Sequence, residues 1–339
     1  MKNDLDGINA DSLKRWFAEY IDGVDLPLQI SLISGGHSNL TFSVLDNSGR
    51  SFVLRRPPLG KLLESAHDVA REHRIISALA GSNVPVPSAL GICNDVDING
   101  APFYVMDHVE GAVLHNAKSA SPISMEHRKA IGLDVIDVLA RLHDIDPDAV
   151  GLGNLSRKEA YLERQLKRWI RQLEASTAPR IPGMDEVSNL LRDRMPQQVG
   201  ASIVHGDYRL GNLIVNDGKI HAVLDWELCT LGDALADVGY LLNCWTEPDE
   251  QEPLDESPTA AGGFPGRDEL AARYASVSGR DLSDINYYRA FSHWRLAAIG
   301  QGVYERYQTG SMGKEHSFDL GAHREKIVRR TQEALKLLA

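Results

Sequence analysis

Asp207, Asn212 and Asp225 are the side chains whose types and spacing could do chemistry together. Asp207 and Asn212 lie five apart in the turn-rich stretch His205-Gly206-Asp207-Tyr208-Arg209-Leu210-Gly211-Asn212, and Asp225 follows thirteen residues later in Leu224-Asp225-Trp226-Glu227. Phosphoryl transfer from a nucleotide needs a carboxylate to orient and deprotonate a hydroxyl, and oxygen ligands to hold Mg²⁺ on the phosphates. Asp207 supplies the first, Asn212 and Asp225 the second. A surface hairpin whose Asp and Asn only make turns is the plainer alternative.

The elements that must position these groups follow from hydrophobic periodicity. β-branched runs at Ser202–Val204 and Leu213–Val215 bracket the polar loop, and a third at Ile220–Leu224 delivers Asp225. Upstream, a helix over Asp11–Ile21, with Asp11 or Ser12 as its cap, precedes strands at Leu28–Ile33, Leu40–Leu45 and Ser51–Leu54. Between the first two strands lies Ser34-Gly35-Gly36-His37-Ser38-Asn39. A glycine-rich turn lets backbone N–H groups approach phosphate oxygens, which makes Gly35, Gly36, Ser38 and Asn39 candidates for nucleotide binding beside the reading as an ordinary hairpin. A helix over Ser65–Leu79 and strands at Ala89–Cys93 and Pro102–Met106 complete a five-stranded antiparallel N-terminal sheet. From Ser124 the period is helical: a core helix ends near His143-Asp144, amphipathic helices cover Glu159–Leu173 and Val187–Arg194, and Ser283–Tyr307 and Ser317–Leu338 close the chain. Glu247–Gly266, rich in acids, Pro and Gly, reads as a flexible loop.

Composition narrows the class. The 339 residues are 43% hydrophobic and 24% charged, enough for a large domain or two lobes. A net charge of −11 without a block of Lys and Arg argues against a nucleic-acid partner, while leaving room for a local positive pocket. Cys93, Cys229 and Cys244 are odd in number and contain no C-x-x-C pair, which fits a reducing cytoplasm better than a disulfide framework or a zinc site. No apolar run approaches the roughly 20 residues of a membrane span. The N-terminus lacks an apolar signal core.

The pattern H-G-D-x-x-x-x-N keeps the Asp-to-Asn spacing of the protein-kinase loop H-R-D-x-x-x-x-N, and Leu-Asp-Trp stands where kinases carry D-F-G. The chain resembles the aminoglycoside phosphotransferase and choline kinase group of small-molecule kinases, whose catalytic loop reads H-G-D. The resemblance runs from roughly Ile30 to Tyr307. With Val53-Leu54-Arg55-Arg56-Pro57-Pro58, it is nearest to the branch also found fused to acyl-CoA dehydrogenases.

The resemblance implies an α+β, bilobal, protein-kinase-like fold: an N-terminal nucleotide-binding lobe over 1–106, a hinge at 107–111 and a mainly helical catalytic and acceptor-binding lobe over 112–339. It places a phosphate-binding cation at Arg55, where the kinase pattern has lysine; arginine grips phosphate bidentately and is not interchangeable with it. Arg56 points to the opposite strand face and reads as solvated. Glu72 is the helix glutamate that positions the cation, with Glu64 as competitor. Met106 stands at the gate, and Asp107 C=O and Val109 N–H become the purine partners. Arg209 stands where protein kinases carry a lysine facing the γ-phosphate; an ion pair with an acid such as Glu227 is the alternative. Asp233 reads as a helix cap and Asp237 as a brace for the catalytic loop. Trp169 reads as core, or as a wall of the acceptor pocket. The implied activity is transfer of the ATP γ-phosphate, with Mg²⁺, to a hydroxyl of a small molecule such as a hydroxyacyl-CoA. An aminoglycoside acceptor and an inactive nucleotide-binding module remain the alternatives. A protein kinase is disfavoured because no A-P-E segment or activation loop is evident.

Overall fold

Large apolar residues at every second position build the first sheet. Leu40, Phe42 and Val44 point to one face of strand β2 (Leu40–Leu45), and Phe52 and Leu54 of β3 (Ser51–Arg56) join them. The structure, a computed structural model, describes residues 5–34, 39–59, 68–247, 249–250, 253–310 and 318–339. It contains two compact units, one of Met1–Ala112 with Leu213–Asn216 and Ile220–Leu228, the other of Val113–Asn212 with Asp217–Lys219 and Cys229–Ala339.

In the first unit, β1 (Gln29–Ser34), β4 (Ala89–Cys93) and β5 (Phe103–Asp107) complete the five-stranded sheet in the order β1-β2-β3-β5-β4, antiparallel throughout. Helix α1 (Ala10–Tyr20) buries Leu13, Trp16 and Phe17 against the Phe42–Phe103 face. Its cap is Asn9, whose side chain accepts the Ser12 N–H, rather than Asp11 or Ser12. Helix α2 (Val69–Leu79) starts at Asp68, which accepts the Arg71 N–H at 3.0 Å and leaves Glu72 in the buried first turn. Ser65 and Glu64 lie outside the described residues.

One expectation fails on this sheet. Arg56 is buried at 5% exposure, not solvated. Its guanidinium donates to the carbonyls of Gly7 and of Asn99, the latter at 3.0 Å. Backbone acceptors therefore replace water around a charge that burial alone disfavours.

The second unit is helical. Tyr161–Ala175, Met184–Asp193, Ile285–Gln308 and Leu320–Leu338 share a core that includes Leu162, Leu166, Phe291, Trp294 and Ile327. Trp169 packs against that core. Met125–Asp144 begins at Ser124, which accepts the His127 N–H. A two-stranded antiparallel ladder joins Ser202–Val204 to Thr230–Gly232 just before the polar loop.

The described part of 247–266 is tied down instead of loose. Pro258–Ala261 forms a 3-10 turn, Arg128 donates to the carbonyls of Ala261 and Gly262 at 2.7 and 3.0 Å, and Trp245 Nε1 donates to Pro265 O at 2.8 Å. Side chains from outside the segment, Arg128 above all, thus satisfy the backbone here, which local composition does not encode. Among the described residues no helix is long and apolar enough to cross a membrane.

Candidate active site

In the first unit the candidates converge on Arg55. Strand alternation turns Arg55 to the face opposite Arg56, where its Nη2 lies 3.1 Å from Asp225 Oδ1 and its Nε 3.5 Å from Glu72 Oε2. Asp225 arrives on the Lys219–Val223 strand, whose Val223 N–H bonds Pro85 O at 2.9 Å, and adopts a left-handed φ of 65°. A non-glycine residue held there is strained, and such strain collects at functional positions. Glu72 also accepts from Asn39 Nδ2 and, at 3.1 Å, from the Tyr104 hydroxyl. Burial raises the Glu72 pKa, and Arg55 pulls against it. Burial likewise opposes the Arg55 charge, but Tyr104, Glu72 and Asp225 together raise its pKa.

Carboxylate oxygens of Glu72, Asp225 and Glu227 lie within 4.8 Å of one another. An all-oxygen set of this kind suits a hard divalent cation such as Mg²⁺. Asn39 thus joins Arg55, Glu72 and Asp225, whereas Gly35, Gly36 and Ser38 lie outside the described residues. Met106 and Asp107 end β5 opposite Val53 and Phe52, and Val109 follows, half-buried.

In the second unit the H-G-D turn is held by its backbone. Gly206 takes φ 87°, a conformation that a side chain would strain. The N–H groups of His205 and Gly206 donate to Asp237 at 2.6 and 2.8 Å, so Asp237 braces the loop as expected. Burial raises the pKa of this carboxylate, and His143, His205 and the Gly206 N–H outweigh it to give a net lowering. His205 is fully buried, its Nδ1 accepting the Asp207 N–H at 3.2 Å. Asp233 accepts the Leu235 N–H at 3.1 Å at the start of helix Leu235–Asn243, and Tyr288 donates to its other oxygen at 2.7 Å.

Asn212 Nδ2 donates to Asp207 Oδ2 at 2.7 Å and to Asp207 O at 2.9 Å, so these two candidates are joined directly. Arg209 Nε lies 3.4 Å from Asp207 Oδ1, an ion pair with the loop's own carboxylate. The Tyr240 hydroxyl donates to the same oxygen. Sequence reasoning missed this partner, although Tyr240 sits one helical turn after Asp237 and so shares its face.

Asp207, 23% exposed at its side chain, opens into a cavity of about 410 Å³ within this unit. Arg209, Tyr240, Cys244, Asp255 and Arg330 are among its walls. Asp255 is held by Lys326 at 2.5 Å and by Arg330, and these cations outweigh burial to lower its pKa. Each of these two aspartates thus faces a cation. The arrangement offers a reachable, oriented carboxylate beside a cavity sized for a small molecule.

The model of the phosphotransferase enzyme family matches residues 29–273. Acyl-CoA dehydrogenase family member 10 of Mus musculus is 38% identical over 291 residues, covering 84% of this chain. The chain spans 27% of that relative and 44% of family member 11 of Gallus gallus. A crystal structure of a candidate aminoglycoside phosphotransferase from Ralstonia eutropha superimposes with TM-score 0.81 and 32% identity, over 97% of each chain. The ternary complex of APH(2'')-IIa with streptomycin and ATP shares the fold, with TM-score 0.61 and 15% identity over 93% of this chain and 98% of the other.

Proposed function

Because the chain belongs to the phosphotransferase enzyme family, we propose that it moves the γ-phosphate of ATP, with Mg²⁺, to a hydroxyl of a small molecule. The observation that carries this reading is the Asp207 carboxylate, held by Asn212 and open to the cavity. Asp207 orients the acceptor hydroxyl and takes its proton. Arg209, against Asp207 Oδ1, keeps a positive charge beside the reacting group. Arg55, fixed by Glu72 and Asp225, is the phosphate-binding cation. Met106 stands at the gate of the nucleotide site, Asp107 C=O and Val109 N–H are the purine partners, and Gly35, Gly36, Ser38 and Asn39 belong to the phosphate-binding turn. Asn212 and Asp225 are the Mg²⁺ ligands, and the oxygen donors around Asp225 fit that ion. Bound Mg²⁺ would neutralise phosphate charge as transfer proceeds.

A hydroxyacyl-CoA or related metabolite is the acceptor class we favour, in a cytoplasmic setting. Two observations support it. The relatives are acyl-CoA dehydrogenase family members. In addition, Arg209 and Arg330 line the cavity beside Asp207, Asp255 and Glu256, and these cations can meet the phosphates of an acyl-CoA. The test is Mg²⁺-dependent ATP consumption against hydroxyacyl-CoAs, aminoglycosides, choline and sugars, with Asp207→Asn as control. Turnover with hydroxyacyl-CoA, cut by about 100-fold or more in the control, is expected. Full activity in Asp207→Asn would end the assignment of the base, and ATP binding without any turnover would favour an inactive nucleotide-binding module.

A further inference from the structure

We propose that Tyr240, steadied by Arg295, is a positioning residue that fixes the direction of the Asp207 carboxylate toward the acceptor hydroxyl; this rests on the reading of Asp207 as the base. Tyr240 belongs to helix Leu235–Asn243, is 7% exposed and reaches the cavity wall beside Asp207. Its hydroxyl donates to Asp207 Oδ1, while Asn212 Nδ2 donates to Oδ2 at 2.7 Å. A carboxylate gripped at both oxygens cannot turn about its Cβ–Cγ bond, so its remaining lone pairs keep fixed directions. Fixed direction is what selects a bound hydroxyl over a mobile water, because proton transfer requires a near-linear approach.

Arg295 connects the two ends of this grip. Its guanidinium lies over the Tyr240 ring, 5.6 Å from the centroid, and its Nη2 donates to Gly206 O at 3.1 Å. The same group therefore touches the backbone just before the base and the ring of the residue holding the base. Asp237 holds the two N–H groups of that turn, so its carbonyl and its amides are both fixed from within the unit.

Tyr240→Phe removes the hydroxyl and leaves the ring for Arg295 to cover. With 3-hydroxybutyryl-CoA and Mg·ATP, kcat should fall roughly 10- to 100-fold, the worth of one hydrogen bond to a charged group. The thermal shift caused by Mg·ATP should not change. Basal hydrolysis of Mg·ATP by water should fall less than transfer, so more ATP is lost per acceptor phosphorylated, an effect that a general loosening of the fold does not produce. Arg295→Lys, which keeps the charge but loses the planar contact, should move the same ratio in the same direction to a smaller extent. In an Asp207→Asn background, Tyr240→Phe should cost less than about 2-fold more, because it acts through the carboxylate. An unchanged ratio of transfer to hydrolysis in both Tyr240→Phe and Arg295→Lys overturns the proposal, as do losses that multiply in the double variant. Undiminished transfer and hydrolysis in Asp207→Asn alone instead overturn the reading of Asp207 as base.

Discussion

Arg55 faces two carboxylates at once, and that sets what replacement can do. Its planar fork reaches Asp225 at 3.1 Å and Glu72 at 3.5 Å, whereas a lysine ammonium is a point charge that favours one of them. Glu72 is almost wholly buried, at 1% exposure, and keeps Tyr104 and Asn39 as donors whatever stands at 55. Arg55→Met should therefore cost about 3 kcal/mol of stability, chiefly from leaving the Glu72 charge uncompensated. Adding Glu72→Gln should recover part of that loss, which urea unfolding of the single and double variants would measure. If Arg55 is the phosphate-binding cation proposed above, Arg55→Lys should keep most of the stability but raise the KM for ATP, since a lysine lacks the bidentate fork. A KM for ATP equal to wild type in Arg55→Lys would remove Arg55 from the nucleotide site.

Helix Leu235–Asn243 carries both Asp237 and Tyr240 to the H-G-D turn, and Gly239 lets it pack closely on helix Ile285–Gln308. A Cβ at Gly239 would lie 2.7 Å from the backbone carbon of Tyr288 and 2.9 Å from the Arg289 nitrogen, atoms that cannot swing aside. Gly239→Ala should thus push the helix away, at about 1–3 kcal/mol, and lower kcat in the same variant; calorimetry and steady-state rates would report both. Asp237 adds a pH signature. Its folded pKa is lowered, so its contribution to stability is full above the ordinary carboxylate value and is lost as pH falls through the folded one. Asp237→Asn should therefore be less stable at pH 7 and lose less of its remaining stability on acidification than wild type, as denaturant midpoints between pH 7 and pH 3 would reveal. Elements of this kind were legible where a period was long and bounded. The alternation of Leu40, Phe42 and Val44 announces a strand, and Asp237 was found because a stretch of sequence carried it. Arg56 and the described part of Glu247–Gly266 were misread because their partners, Gly7 and Asn99 for one and Arg128 for the other, are distant in sequence. Tyr240 was missed for a related reason: a tyrosine in an apolar helix looks like core until its hydroxyl has a partner.

The whole molecule carries a net charge of −11, while both ATP and an acyl-CoA are polyanions, so approach from a distance is repelled even though Arg55, Arg209 and Arg330 lie at the proposed sites. Ionic strength separates these two fields. At about 0.01 M salt the Debye length is roughly 30 Å and the charge of the entire chain acts, whereas at about 0.15 M it is roughly 8 Å and only the nearest cations are felt. With saturating Mg·ATP, kcat/KM for 3-hydroxybutyryl-CoA should consequently rise as KCl increases from about 0.01 M to about 0.15 M, because the long-range repulsion is screened first. It should then fall toward about 1 M, where the Debye length of roughly 3 Å screens the local attraction too. A polycationic aminoglycoside would be drawn by the same global field, and its kcat/KM should decline from the lowest salt onward. Choline, with a single positive charge, should show a weaker decline of the same sign. The shape of this one curve therefore distinguishes the acceptor classes without reference to absolute rates, and a monotonic fall for the acyl-CoA would contradict the assignment of an anionic acceptor to this molecule.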